Sequence, residues 1–243
     1  MGLNLTKNYS YNFNFPKRSK KSIKFIVIHY TGMKKESAAI NRLCDPKSRV
    51  SAHYFIKDDG RILVLVPDLY EAWHAGISSW KGFDYLNKYS IGIEISNPGH
   101  KYGYRKFSSK QMLSLKRLLK SLLKEYQINL KNIIGHSDIA PNRKKDPGEK
   151  FPWRDLAKKK LSYWHSLNQN RIIKFRKVKL SNKDEMIFLK NLYKIGYKKI
   201  TGVNFNKNTR YLTEAFQRRF RQDLVNGKMD KECYLISENL LKS

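Results

Sequence analysis

Cysteine is scarce: Cys44 and Cys233 are the two in 243 residues, far apart and in no Cys-x-x-Cys pair. That excludes a disulfide-stapled scaffold and leaves two ordinary thiols. Glycine (13) and proline (7) are too few for a collagen-like or low-complexity chain. Long apolar runs are missing too. Phe25–Ile28 and Ile62–Val66 fall far short of the roughly 20 residues that a membrane span needs. No apolar stretch follows the N-terminus, so no signal peptide is expected in the chain as written. Acidic residues are few, 20 against 50 Lys and Arg, which gives a net charge of +30. With 40% hydrophobic and 13% aromatic residues, the chain can still bury a core, and the charge does not imply disorder.

A surface of +30 attracts polyanions, among them nucleic acid, teichoic acid, anionic lipid and the carboxylates of cell-wall peptides. The cations are 36 Lys and 14 Arg, and Asn, Ile and Tyr are abundant. An AT-rich genome gives the same bias without any anionic ligand. Specific nucleic-acid sites lean on Arg for bidentate contacts. Nucleic acid is therefore the weakest of these readings, and no nucleic-acid partner is expected.

Residues 1–21 are polar and basic, with Tyr and Phe alternating from Tyr9 to Phe15, and read as an irregular arm. The β-branched run 24–29 predicts a buried strand and Glu36–Leu43 a short helix. Segments 51–57 and 61–66 flank Asp58-Asp59-Gly60, a hairpin signal. A long loop is expected over 68–88 and a strand over 90–95. In 108–126 the apolar stripe 112, 115, 118, 119, 122, 123 predicts a helix capped by Ser108. A strand follows at 132–135, then a loop rich in Pro, Asp and Lys, then a helix over 153–167. The segment 168–182 reads as a linker with an extended stretch at 172–178. Three helical patterns follow, at about 183–195, 209–221 and 230–241, the last capped by Asp230. The fold class expected is α/β: a mixed central β-sheet flanked by helices, with a small three-helix C-terminal domain. The domain reading is an arm (1–21), a catalytic domain (22–167), a linker (168–182) and a helical domain (183–243).

Chemistry gathers at strand ends. His29 closes the first strand, His136 closes the later one, and Asp146 lies ten residues on. Two imidazoles and a carboxylate are the usual protein half of a catalytic zinc site, with a position left open for water. The alternative is that each His is a satisfied core residue. In 90–95, Ile91, Ile93 and Ile95 share one face, and Gly92 and Glu94 the other. That suits a carboxylate over a cleft, with Gly92 expected to leave room for substrate; the alternative is an exposed strand glutamate. Lys144 shares a face with Asp146, and Lys145 is expected to point away.

Six motifs come in order: Ser51-Ala-His-Tyr54, Asp59-Gly60, Ala72-Trp-His-Ala-Gly76, Ser90-Ile-Gly-Ile-Glu-Ile95, Gly135-His-Ser-Asp-Ile-Ala-Pro141, and Arg143-Lys-Lys-Asp-Pro-Gly148 with Phe151-Pro-Trp153. Over about residues 22–165 the chain resembles the zinc-dependent N-acetylmuramoyl-L-alanine amidases of the amidase-2 family. The resemblance implies a zinc groove on a mixed sheet. It also implies hydrolysis of the amide between the lactyl group of N-acetylmuramic acid and L-alanine. Position by position, it implies one Zn2+ held by His29, His136 and Asp146. It implies Glu94 as catalytic acid/base and Lys144 as the group facing the oxyanion. His53, His74 and Trp73 match positions near the groove, as substrate contacts or as partners of the ligands. His100 and His165 match no motif and are expected at the surface. Trp80, like Trp73, is open between stacking on substrate and packing in the wall. Leu192-Tyr-Lys-Ile-Gly-Tyr197, Thr213-Glu-Ala-Phe-Gln217, Phe220 and Gly227-Lys-Met-Asp230 resemble a three-helix peptidoglycan-binding domain. The partner expected is peptidoglycan or a muropeptide. A wall-binding domain implies the cell envelope, and the missing signal peptide the cytoplasm. A catalytically silent peptidoglycan-recognition module on the same fold is the rival reading.

Overall fold

The computed structural model describes residues 5–242; residues 1–4 of the expected arm lie outside the described residues. Among the described residues ten strands are formed: β1 (Leu5–Lys7), β2 (Phe13–Asn14), β3 (Phe25–Tyr30), β4 (Tyr54–Ile56), β5 (Ile62–Val64), β6 (Glu71–Ala72), β7 (Ser79–Trp80), β8 (Phe83–Asp84), β9 (Ser90–Ile95) and β10 (Ile133–Gly135). The α-helices are α1 (Glu36–Cys44), α2 (Ser109–Tyr126), α3 (His136–Ile139), α4 (Trp153–Lys158), α5 (Gln169–Ile172), α6 (Asn182–Ile195), α7 (Phe205–Phe220) and α8 (Lys231–Lys242). Among the described residues no helix is long and apolar enough to cross a membrane.

Six strands form one mixed sheet in the order β1-β5-β4-β9-β3-β10. Only β4 and β5 pair antiparallel, through the hairpin that Asp58-Asp59-Gly60 closes; the other neighbours are parallel. Strand β3 is apolar on nearly every residue because both sheet faces are covered, while β9 alternates, with Ile91, Ile93 and Ile95 on one face and Ser90, Gly92 and Glu94 on the other. On one face lie Ile26, Ile28, Ile91, Ile93 and Ile95, packed under Leu115, Leu118, Leu119 and Leu122 of α2. That helix is held at its start by the Ser108/Gln111 capping box. On the other face Phe25, Val27 and Ile134 pack with Leu212, Phe216 and Phe220 of α7. This second core crosses residues 168–182 and joins the C-terminal helices to the sheet.

Several expectations are corrected. The arm is irregular only in part among the described residues: β1 adds a parallel edge strand to β5, and β2 pairs with β6. Between them Ser10 donates to the Leu43 carbonyl, and Asn12 to the carbonyls of Asp45 and Val50. The helix expected over 153–167 stops at Lys158, because Lys160 turns the chain with φ +54. The extended stretch expected at 172–178 starts as helix: Asn168 caps α5, and a 3-10 turn carries on to Phe175. Helix α7 begins at Phe205, four residues before its apolar stripe, because Asn204 accepts from the Lys207 N–H as a cap. Asp230 caps α8 as expected, accepting from the Cys233 N–H.

Candidate active site

Strand parity builds the site. In β3, Phe25, Val27 and His29 share a face; in β9, Gly92 and Glu94 share the same one, and His29 pairs with Glu94 in register. Both polar side chains emerge at the carboxyl ends of parallel strands, where open α/β sheets form their crevices. Strand β10 ends at Gly135, and the chain turns at once into α3, so His136 joins them. Asp146 is brought back over ten residues by the Ser137 N–H, which donates to the Asp146 carbonyl at 2.8 Å. Gly135 permits the return: a Cβ there would lie 2.7 Å from Cδ of Pro147.

His29 Nδ1, His136 Nδ1 and Asp146 Oδ2 form a triangle with edges of 2.9, 3.0 and 3.0 Å, and all three residues are buried. The surroundings fix which atoms carry protons. His136 Nε2 lies 3.0 Å from the Ala75 carbonyl, which can only accept, so Nε2 carries a proton and Nδ1 is the nitrogen left to ligate. His29 Nε2 lies 3.1 Å from His74 Nδ1, and a His29 proton held there leaves its Nδ1 free as well. Three acceptors then converge with no hydrogen among them, an arrangement that a cation holds together. The cluster fits a metal, and its donors, two imidazoles and one carboxylate, suit a divalent first-row ion. Burial, then His136, pulls His29 down to about 4, which keeps it a neutral ligand. Burial alone would raise Asp146; in the metal-free cluster a proton on the facing nitrogen of His136 or His29 holds its carboxyl well below the usual range, in the place a cation would take.

Glu94 lies partly buried in the groove, and its Oε2 has no hydrogen-bond partner among the described residues. Burial, then the Asp146 carboxylate, raises Glu94 to about 8, against the Lys144 ammonium. A bound dication would oppose that rise. The groove encloses about 650 Å³ and is lined by His136 and Asp146 of the triad, Glu94, Lys144, His74 and Trp73. Lys145, expected to point away, lines it too, because the loop turns its exposed side chain along the mouth. Arg143 donates to the carbonyls of Ala75 and Ile77 and braces that wall.

The other expectations divide. Trp73 stands in the groove wall, its indole N–H donating to Asn14 at 2.9 Å. Trp80 does not reach it; it is buried edge-on against Tyr197. His53 as a substrate contact is corrected. It is fully buried before β4, accepts the Gly92 N–H on Nδ1 at 2.9 Å and reaches the Tyr70 carbonyl with Nε2. Burial and the nearby Arg18 hold it well below its ordinary pKa. Gly92 as room for substrate is corrected as well: a Cβ would lie 2.3 Å from Cγ of His74, so the His74 ring fills that space. His165 is buried rather than exposed, beside Trp164, which packs on Phe220 of α7. His100 is a groove residue that the motifs missed. It lies 2.9 Å from the Tyr30 hydroxyl and 3.0 Å from Glu149, stacked on Tyr104. Its one sequence signal is its place just past the Asn97-Pro98-Gly99 turn that ends the Glu94 strand.

Comparison with known proteins agrees with this geometry. The family model described as N-acetylmuramoyl-L-alanine amidase (Amidase_2) matches residues 19–149. The chain is 36% identical over 233 residues to N-acetylmuramoyl-L-alanine amidase AmiD of Escherichia coli, covering 90% of this chain and 83% of that one. It is 35% identical over 159 residues to 1,6-anhydro-N-acetylmuramyl-L-alanine amidase AmpD of Haemophilus influenzae, covering 58% and 84%. Its fold matches E. coli AmiD solved with anhydro-N-acetylmuramic acid-L-Ala-D-gamma-Glu-L-Lys at a TM-score of 0.81 and 34% identity, over 94% and 92% of the chains. It matches AmpDh3 of Pseudomonas aeruginosa at 0.80 and 30%, over 96% and 97%. A metal-ready triad at the strand ends, a carboxylate beside it and a likeness that runs nearly the whole length make this chain a member of the N-acetylmuramoyl-L-alanine amidase family.

Proposed function

We propose that this protein hydrolyses the amide between the lactyl group of N-acetylmuramic acid and L-alanine in peptidoglycan fragments, with one zinc ion held by His29, His136 and Asp146. The observation that carries the reading is the triangle of three lone pairs 2.9–3.0 Å apart, with an unpartnered Glu94 oxygen in the same groove. Zinc there supplies Lewis acidity, which polarises the amide carbonyl and lowers the pKa of water. Glu94 takes the proton from the attacking water and returns it to the leaving amine of L-alanine. Lys144 sets its ammonium against the carbonyl oxygen as charge develops on it. The cations along the groove, Arg42, Lys101, Arg143, Lys144 and Lys145, suit a peptide stem that carries carboxylates.

The solved complex of E. coli AmiD with an anhydro-muramyl peptide supports a soluble muropeptide as substrate here. The C-terminal helices are read as an anchor for polymeric wall, which fits an envelope location. Product analysis tests the reading. Mass spectrometry of a soluble anhydro-muropeptide and of sacculi should show released peptides that begin with L-alanine. A chelator should abolish the release and added zinc should restore it. A zinc-loaded protein that binds muropeptide and leaves it intact would be the silent recognition module instead.

A further inference from the structure

Resting on that metal reading, we infer that His74 is a positioning residue. By taking a hydrogen bond from Nε2 of His29 it fixes the tautomer that turns His29 Nδ1 into a metal ligand. The argument starts at Ser90. A hydroxyl has one hydrogen, and Ser90 gives it to the Leu86 carbonyl at 2.5 Å. Towards His74 Nε2, 3.2 Å away, the same oxygen can therefore only accept. His74 thus carries its proton on Nε2 and keeps a lone pair on Nδ1. That lone pair faces His29 Nε2 at 3.1 Å, so His29 must be protonated there. The remaining lone pair of His29, on Nδ1, is the one aimed at His136 and Asp146. One serine rotor thus sets two tautomers in series. Were the chain reversed, His29 Nδ1 would carry a proton and could not ligate.

The site is built around this ring. His74 is held by its backbone, whose N–H donates to Asn87 Oδ1 at 3.1 Å, with the Ala75 N–H on the same oxygen at 2.7 Å. The ring is buried and stands edge-on to His29, with centroids 5.2 Å apart. Gly92 exists for it: any Cβ at 92 would collide with Cγ, Cδ2 and Nδ1 of His74 at 2.3–2.6 Å. His136 has its own orienting acceptor, the Ala75 carbonyl, from the residue after His74. One loop therefore orients both imidazole ligands. Such outer partners typically change metal affinity by 10–100-fold when removed.

The test measures zinc affinity by chelator competition on full-length wild type, His74→Phe, His74→Gln, Ser90→Ala and Gly92→Ala, with thermal melts of each metal-free protein. His74→Phe keeps a ring without an acceptor and should weaken zinc binding about 10–100-fold. His74→Gln retains an oxygen that can accept from His29 and should recover part of that loss. Ser90→Ala and Gly92→Ala, which act on the same ring from two other strand positions, should each weaken binding. Long-range proton–nitrogen spectra of zinc-loaded wild type should show His74 protonated on Nε2 and His29 on Nε2. If wild type binds zinc tightly and the folded variants bind it equally well, while only their melts fall, His74 is structural and the inference fails. Should His74→Phe or Gly92→Ala not fold, His74→Gln, Ser90→Ala and the wild-type spectrum decide alone. A His74 ring protonated on Nδ1 overturns the inference outright. Wild type that binds no zinc would instead remove the metal reading itself.

Discussion

Glu94 and Asp146 are both carboxylates of one groove, yet their surroundings drive them apart. Asp146 shares a cation, or in its absence an imidazole proton, with His29 and His136 and stays ionised, whereas Glu94 has a buried oxygen with no partner among the described residues and is raised to about 8. In the proposed reaction the first ligates the metal and the second exchanges a proton. Asp146→Ala should therefore lose both metal and turnover, checked by metal analysis of the purified protein. Glu94→Gln keeps the shape and removes the base; zinc content should stay near stoichiometric while kcat falls about 10²–10⁴-fold. Lys144→Ala should keep zinc and lose about 10²–10³-fold in kcat through oxyanion stabilisation. Wild-type kcat in either variant would remove that residue from the mechanism. At this scale, period-2 parity and the family motifs made His29, Glu94 and Lys144 legible in the sequence. His53 was not, because a motif records position and not which way a ring faces, and its ring turns under Gly92. His100 was not, because only the returning Glu149 loop brings its partner close, and 49 residues separate the two.

The α3 turn shows how whole elements hold a ligand. His136 opens it, and Asp138, two residues on, is buried beneath the sheet. Asp138 accepts from the Gly135 N–H at 2.8 Å, from Tyr197 at 2.7 Å and from Arg219 of α7 at 2.7 Å. The Arg219–Asp138 pair is nearly inaccessible to solvent, and Arg219 also donates to the Ile133 carbonyl. Removing one partner of a buried pair leaves an uncompensated charge, a loss of about 3–5 kcal/mol. Arg219→Met should show that loss in urea unfolding; an unfolding free energy within about 0.5 kcal/mol of wild type would mean the pair contributes nothing net. Long elements with strong periodicity, β3, β9 and α2, were legible from the sequence. The arm was not, since its pairing partners β5 and β6 lie some 57 residues away, and two- and three-residue strands carry no period. Nor was the end of α4, where a run of lysines offers helix propensity but the chain turns at Lys160.

Across the whole molecule, the question is what the C-terminal helices do for the rest. Their family-like residues point inward: Gln217 bonds Asn226 and the Lys228 carbonyl and accepts from the Asn226 and Gly227 N–H groups, while Thr213 bonds the Thr209 carbonyl. Those bonds tie α7 to the turn at 226–228 that leads into α8. The helices also cover Phe25, Val27, Ile134 and Ile139 of the catalytic half, each at most 2% exposed. Sequence alone reads a basic stretch at 168–182 as a linker, because nothing local reveals that the apolar faces on either side of it meet. Cutting the chain near Asn182 would strip that cover and leave Asp138 without Arg219 or Tyr197. Uncovering four such side chains is worth about 1.5–3 kcal/mol each at full exposure. Even half of that, added to the orphaned Asp138, rivals the 5–15 kcal/mol or so by which a typical domain is stable. The truncated protein should therefore show no cooperative melt, bind dye that reports exposed apolar surface, and hold zinc weakly. The full chain should melt cooperatively. If the truncated protein instead melts cooperatively, keeps zinc and cleaves a soluble muropeptide at the wild-type rate, the helices are a separable anchor. Their contribution would then be read from sacculus binding, at about 1 M salt, where a Debye length of roughly 3 Å silences the +30 charge.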